Sequence, residues 1–268
     1  MKIKKILRGI KNRIIKYKTK ITTKPIWIYI KDGPLKDGFI LINKNLHDGW
    51  SKMENGTYDK FIYDFLSSNN ILGSTVWDVG AHFGYHALSF AKLVGSNGRV
   101  VTFEPNPYNI ERLRMNVEKN TDLINRISIV EQALSSKTGT TTMIISNDVD
   151  GSKSTGSHIK EINLKPLDKK KYKGFYEHTV PTITIDDFLT NNKEKDPDII
   201  KIDIEGAEFF ALSGAAKLLE RKHPILFIEI HDIINMFNVN KLLSNMKYRI
   251  ELLDVENAST SRCFVVAY

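Results

Sequence analysis

Five side chains that could do chemistry stand at the carboxyl ends of four apolar runs. They are Asp78 in VWDVG, Glu104 in GRVVTFEP, Asp203 in DIIKIDIEG, and Glu229 with His231 in PILFIEIHD. Carboxylates in such places accept hydrogen bonds from hydroxyls, hold cations and take up protons. In a doubly wound sheet a ligand lies beyond the carboxyl ends of the strands, so all five would share one rim. Acids that cap the following helices account for one or two of these positions, but poorly for four strands that end alike.

The turn after Asp78 separates two cofactor classes. A dinucleotide fingerprint reads G-x-G-x-x-G and aims a helix N-terminus at a pyrophosphate. Here the turn is DVGAHFG, with Asp78 two residues before Gly80. A carboxylate there repels a pyrophosphate and suits the sulfonium and ammonium groups of S-adenosylmethionine. Gly80, Ala81 and Gly84 let backbone approach the ligand. Glu104, 20 residues past Gly84, can take both ribose hydroxyls. A nicotinamide or nucleotide cofactor is the alternative.

These residues need a frame. VWDVG, GRVVTFEP, ISIVEQAL, DIIKIDIEG and PILFIEIHD read as strands. Helical stretches lie between them: about 84–94, NPYNIERLRMNVEKN with Asn106 or Pro107 at its start, a short helix opened by Asp186, and AEFFALSGAAKLLE. A helix near 237–247 precedes two closing strands, YRIELLDV and CFVVAY. Alternating strands and helices, with strands apolar throughout, predict an α/β fold whose parallel sheet is covered on both faces. TTMIIS and HTVPTITI are further strands, at an edge or in a hairpin. The polar stretch of about 147–178 reads as a surface insertion that either covers the site or is disordered. Residues 25–56 form a strand and turn extension, and TYDKFIYDFLSS a helix that brings Tyr58 towards the cofactor.

The 268 residues have a formal charge of +8, but residues 1–24 hold ten Lys/Arg and no Asp/Glu, so the rest is near neutral. Ile3, Ile6, Leu7, Ile10 and Ile14 share one face of this arm, which predicts a basic amphipathic helix. It either lies on an anionic membrane surface or docks on the body. The near-neutral body argues against a nucleic-acid binder. The single cysteine, Cys263, excludes an internal disulfide and a zinc site built from cysteines. It suits a reducing compartment, so a cytoplasmic protein with peripheral membrane contact is expected.

The phrases VWDVGAHFGYHALSFAKLVGSNGRVVTFEPNP, ALSSKTG, TIDDFL, IKIDIEGAEFFALSGAAKLL and PILFIEIH resemble, in order and over roughly residues 57–232, the FkbM family of S-adenosylmethionine-dependent methyltransferases. The resemblance implies a class I methyltransferase (Rossmann-like) domain over 57–268, with a mainly parallel seven-stranded sheet whose last strand is antiparallel. It implies methyl transfer to a hydroxyl of a glycan or secondary metabolite, and it turns Asp203 towards the amino acid end of the cofactor. Members usually carry asparagine where this chain has His82, which leaves the backbone role of that turn and puts a side-chain contact in doubt. The arm makes a lipid-linked saccharide a candidate acceptor. RNA methylation, N-methylation and a non-catalytic, cofactor-binding assembly protein are the alternatives; the chain lacks an N-P-P-Y-like motif after the fourth strand.

An alcohol acceptor must lose its proton during attack. His231 and Glu229 are the expected bases, with Glu205 as a further candidate; helix capping is the alternative for His231, and for Glu205 and Glu208. Glu131, Gln132 and Ala133 end the third strand where adenine should lie, and Tyr58 could meet the methionine carboxylate. Asp203, Glu229 and Glu205 have the oxygen donors a divalent cation needs, but no ligand spacing is diagnostic, so no metal is assigned. His82 and His86 are four apart with Gly84 between them, a poor pair of metal ligands.

Overall fold

The computed structural model describes residues 24–44, 49–146, 158–159, 175–254 and 262–268. The basic arm, except for Lys24, and most of the 147–178 stretch lie outside them. The elements are β1 (Ile26–Tyr29), β2 (Phe39–Ile42), α1 (Trp50–Glu54), α2 (Lys60–Ser67), β3 (Thr75–Val79), α3 (Tyr85–Leu93), β4 (Arg99–Phe103), α4 (Pro107–Lys119), β5 (Ile127–Val130), β6 (Ala133–Leu134), β7 (Gly139–Ser146), β8 (His158–Ile159) and β9 (Phe175–Ile183). After them come α5 (Ile185–Asn192), β10 (Ile199–Ile202), α6 (Glu208–Ser213), α7 (Ala216–Arg221), β11 (Ile225–Ile230), α8 (Ile233–Asn245), β12 (Ile250–Asp254) and β13 (Cys263–Ala267).

Seven strands form the main sheet in the order β12-β13-β11-β10-β3-β4-β5. Neighbours from β11 to β5 pair in parallel. The final strand, β13, runs antiparallel to both β11 and β12. This is the expected class I arrangement. Central strands are buried on both faces, and successive residues enter opposite cores. Val76, Val100, Ile199 and Phe227 join one cluster with α2, α3, α4 and the β1–β2 hairpin. Trp77, Val101, Ile200 and Leu226 join the other with α5, α6, α7 and α8.

The strand and turn extension is stitched to the domain. Leu41 donates its backbone N–H to Asn116 Oδ1 (2.8 Å) and Phe39 to Asn120 Oδ1 (2.9 Å), so two buried asparagines, one in α4 and one just after it, satisfy the edge of β2. Asn106 caps α4, accepting from the Tyr108 backbone, with Pro107 at the first helical position.

Three local expectations need correction. The stretch ISIVEQAL is not one strand: β5 ends at Val130, and β6 crosses into a second sheet of order β6-β9-β7-β8. There TTMIIS and HTVPTITI form an antiparallel hairpin. AEFFALSGAAKLLE breaks into α6 and α7 at Gly214–Ala215, where a Cβ on Gly214 would meet the Ser135 carbonyl at 2.3 Å. The helix expected near 237–247 begins at Ile233, capped by the Asp232 side chain.

Candidate active site

The chain leaves β3 towards β4 on one side, while β10 pairs on the other. This is the switch point where doubly wound sheets open a crevice. A cleft lies there, open to solvent. Gly80 and Glu104 line it from the ends of β3 and β4, and Asp203 and Glu205 from the end of β10. Phe103, Leu134, Met143 and Ile159 give it an apolar wall. Met143 and Ile159 belong to the second sheet, which therefore forms one side of the cleft. Ile159 comes from the polar insertion, so part of that segment does border the site.

Glu104 is 5% exposed, and its carboxylate is held by backbone. His82 N–H donates to Oε2 (2.8 Å) and Asn106 N–H to Oε1 (2.9 Å), with Asn109 adding a side-chain bond. Burial nevertheless outweighs these donors and pushes the Glu104 pKa up to about 7. His82 adopts a left-handed conformation (φ 54°), which aims its N–H at the glutamate. The backbone role of this turn is present although the residue is histidine.

Asp78 does not reach the cleft. It is fully buried, and Lys201 Nζ lies 3.3 Å from its Oδ1 and 3.5 Å from Asp203 Oδ2. Lys201 stands beside Asp78 in the register of β10 on β3. Burial disfavours the ammonium, but Asp78 and Asp203 outweigh it and raise the lysine pKa above its usual range. The expectation that Asp78 offers a bare charge to a cationic ligand is therefore corrected: a lysine within the sheet neutralises it. Gly80 has φ 82°, and a Cβ there would sit 1.9 Å from the Asp203 carbonyl oxygen. The glycine lets β3 and the turn after β10 close upon each other.

The other half of the rim is a network of charges. His231 Nδ1 and Glu208 Oε1 are 2.9 Å apart, and Glu208 is fully buried. Glu208 also accepts from the Gly206 N–H (2.9 Å) and from Asn235 Nδ2. His231 Nε2 lies 3.5 Å from Glu229 Oε1, 3.6 Å from Asp203 Oδ1 and 3.6 Å from Glu205 Oε2. Arg262 Nη2 binds Glu205 at 3.0 Å. Burial works against ionising Asp203, but Lys201 and His231 hold its pKa down to about 2. Glu229 rises to about 8 through burial and the Asp203 charge. Burial would lower His231, yet Glu208 and Asp203 raise it to about 9. Glu205 occupies the left-handed region (φ 53°), strain that the cluster must hold in place.

The structure thus brings Tyr58, Gly80, Glu104, Ala133, Asp203 and Glu205 to the cleft wall. Glu229 and His231 lie just behind Asp203 and Glu205. Ala81, Gly84 and Asn106 support the wall instead of lining it: Ala81 N–H donates to the Phe103 carbonyl (3.1 Å), and Gly84 (φ 92°) starts α3. Glu131 is turned away, with its side chain 48% exposed and paired with Arg114. Gln132 lines the cleft in its stead. His86 is occupied by Tyr63 (2.6 Å) and Asp59 (3.0 Å). Lys201, Asn109, Arg262 and the orienting role of Glu208 escaped the sequence reading. Lys201 had left a signal, a lone lysine inside the apolar run DIIKI.

The chain is similar to the hexuronic acid methyltransferase AglP of Haloferax volcanii, 28% identical over 177 residues that cover 66% of this chain and 64% of that protein. The match thus spans a little under two thirds of the relative's length. In fold it is similar to the crystal structure of methyltransferase FkbM from Methylobacillus flagellatus KT, with a TM-score of 0.52 and 22% identity over 73% of this chain and 43% of that one. The methyltransferase FkbM domain matches residues 78–250, from the buried aspartate of β3 to the start of β12, and takes in every residue that lines the cleft except Tyr58. The chain belongs to the FkbM methyltransferase family.

Proposed function

We propose that the protein transfers a methyl group from S-adenosylmethionine to a hydroxyl of a saccharide. The observation that carries this reading is the cleft itself. It places a buried carboxylate, Glu104, at the end of β4 and a cluster of proton-holding groups at the ends of β10 and β11, on either side of one apolar slot.

The residues fit this cofactor. Glu104 offers two carboxylate oxygens to the two ribose hydroxyls, and its backbone donors fix the orientation. Phe103, Leu134, Met143 and Ala133 bound a slot for adenine, with Gln132 at its polar edge. Tyr58 and Asp203 stand where the amino acid end would lie, and the low pKa of Asp203 keeps it charged against an ammonium. Asp78, Ala81, Gly84 and Asn106 act behind these contacts.

S-adenosylmethionine supplies a methyl group on a sulfonium, and transfer makes an oxygen–carbon bond as the sulfur–carbon bond breaks and its electron pair returns to sulfur. The chain must hold the acceptor oxygen in line and take its proton. Asp203 is too weak a base for this. Glu229 and His231, once deprotonated, are the stronger bases of the cluster. Glu205, anchored by Arg262, borders the place where a hydroxyl would enter.

The saccharide acceptor is supported by the relative whose name is hexuronic acid methyltransferase. An acceptor carried on lipid is supported by the basic arm and by Ile233, Ile234 and Phe237, which are 60%, 60% and 70% exposed at the start of α8, directly after the rim. No described helix is long and apolar enough to cross a membrane. Incubation with methyl-labelled S-adenosylmethionine and a panel of free and lipid-linked saccharides tests the reading. Label in a saccharide supports it. Cofactor binding with no label in any saccharide, or label in RNA, contradicts it.

A further inference from the structure

The geometry points to a divalent-metal site formed by Asp203, Glu229 and His231, at the ends of β10 and β11. The three offer one ligand atom each, all within 4.8 Å of one another. The sequence carried no diagnostic spacing for it because the ligands come from two strands that are neighbours only in the folded sheet.

Acidic clusters occur without metals, so the inference rests on the histidine. The His231 side chain is 7% exposed, and its Nε2 is buried without a hydrogen-bond partner. Its other nitrogen, Nδ1, is engaged by the fully buried Glu208. A carboxylate at Nδ1 holds a proton there, so a metal ion that displaces the Nε2 proton would meet the lone pair facing the cluster, as in metal-binding histidines. Glu208 is itself fixed by the Gly206 and Asn235 groups, so the imidazole cannot easily turn.

The Nε2 atom faces three carboxylate oxygens at 3.5–3.6 Å. Those separations are too long for hydrogen bonds, whose N···O distance is about 2.9 Å. They are close to the spacing of donors around a shared ion. Donors bound at about 2.1 Å stand roughly 3.0 Å apart in an octahedron and 3.4 Å apart in a tetrahedron. Five carboxyl groups, Asp78, Asp203, Glu205, Glu208 and Glu229, gather around three basic ones, Lys201, Arg262 and His231. Lys201 serves Asp78 and Asp203 from beneath, and Arg262 sits closer to Glu205 (3.0 Å) than to Glu229 (3.7 Å), so Asp203, Glu229 and His231 form the ligand set.

One imidazole with carboxylates suits a first-row ion such as Mn²⁺ or Zn²⁺ better than Ca²⁺. Asp203 lines the cleft, so the ion would stand at its edge. If the methyl-transfer reading holds, on which this role rests, the ion would bind the acceptor hydroxyl and ease loss of its proton, and Glu229 and His231 would then act as its ligands in place of the bases.

The test uses the full chain, stripped with chelator and dialysed, with Mn²⁺ as the probe and neither cofactor nor acceptor present. Free Mn²⁺ is followed by its electron paramagnetic resonance signal. One ion bound per chain is expected, weakened at least tenfold by Glu229→Gln and by His231→Asn. Glu208→Gln, which leaves the ligands in place, should weaken it about 10- to 100-fold. Melting curves and S-adenosylmethionine binding check that each variant is folded; if His231→Asn is not, Glu229→Gln decides. Mn²⁺ left free by the wild type at protein excess overturns the site, as does binding unchanged in every folded variant. Binding of Mn²⁺ without methyl transfer overturns the proposed function and leaves the site standing. Methyl transfer by a protein that does not take up Mn²⁺ does the reverse.

Discussion

The two halves of the rim solve the burial of charge differently. At the end of β4 a single carboxylate, Glu104, accepts hydrogen bonds from backbone N–H groups of the turns after β3 and β4, so one strand–helix–strand unit builds the arrangement. At the ends of β10 and β11, Asp203, Glu205, Glu208 and Glu229 are balanced by Lys201, His231 and Arg262, drawn from strands, turns and a helix spread over 62 positions of the chain. The first half is a local device whose strength depends on one group's charge. The second is a network in which removing one member leaves others buried and unpaired.

The largest expected effect comes from breaking the seam between the halves. Lys201→Met leaves Asp78 and Asp203 without their cation, and should destabilise the fold by about 3–5 kcal/mol in urea denaturation. A smaller loss would mean that the seam is hydrated or that Asp78 takes up a proton. Gly80→Ala forces a Cβ against the Asp203 carbonyl in a left-handed backbone and should cost about 3 kcal/mol. A change below 1 kcal/mol would show that the turn after β10 can yield.

The pH dependence sharpens the contrast. With a pKa raised to about 7, Glu104 holds its proton in the folded state between the ordinary carboxylate range and neutrality. The native state then binds more protons than the unfolded chain, so this group's contribution to stability falls as pH rises through that window. Glu104→Gln should remove this part of the slope, a difference from the wild type of about 3 kcal/mol between pH 4 and 8, and leave the part that Glu229 and His231 contribute. Cofactor affinity should move the opposite way, rising from pH 6 to 8 as the carboxylate forms. Equal affinity at both values would mean that Glu104 is ionised throughout or makes no contact.

Glu131→Ala should have the smallest effect. Its carboxylate lies outside the cleft in an exposed pair with Arg114, so cofactor affinity should stay within about twofold and stability within about 0.5 kcal/mol. A tenfold loss of affinity would return Glu131 to the adenine site.

The same division explains what the sequence made legible. Strands apolar throughout, each closing on an acid, were enough for the parallel sheet and for the position of Glu104, Asp203, Glu229 and His231 along one edge. Glu104 was readable as a carboxylate of the rim because strand, turn and helix are contiguous there. The partners of Asp78 were not, because β3 and β10 are more than 100 residues apart and meet only in the folded sheet. Glu208 looked like an acid favouring a helix N-terminus, and nothing local tells that its carboxylate turns inward to His231. Glu131 failed for a local reason: the strand ends at Val130, and the crossing to the second sheet turns Gln132 and Ala133 inward instead.

The central claim is that the Glu104 half of the cleft holds S-adenosylmethionine, and calorimetric titration of the wild type and Glu104→Ala tests it most directly. Two charge-assisted hydrogen bonds to the ribose contribute about 1.5–3 kcal/mol each, so the variant should bind at least 100-fold more weakly while keeping its fold. Wild-type protein that takes up no cofactor at millimolar concentration, or a folded Glu104→Ala that binds as tightly as the wild type, would contradict the account.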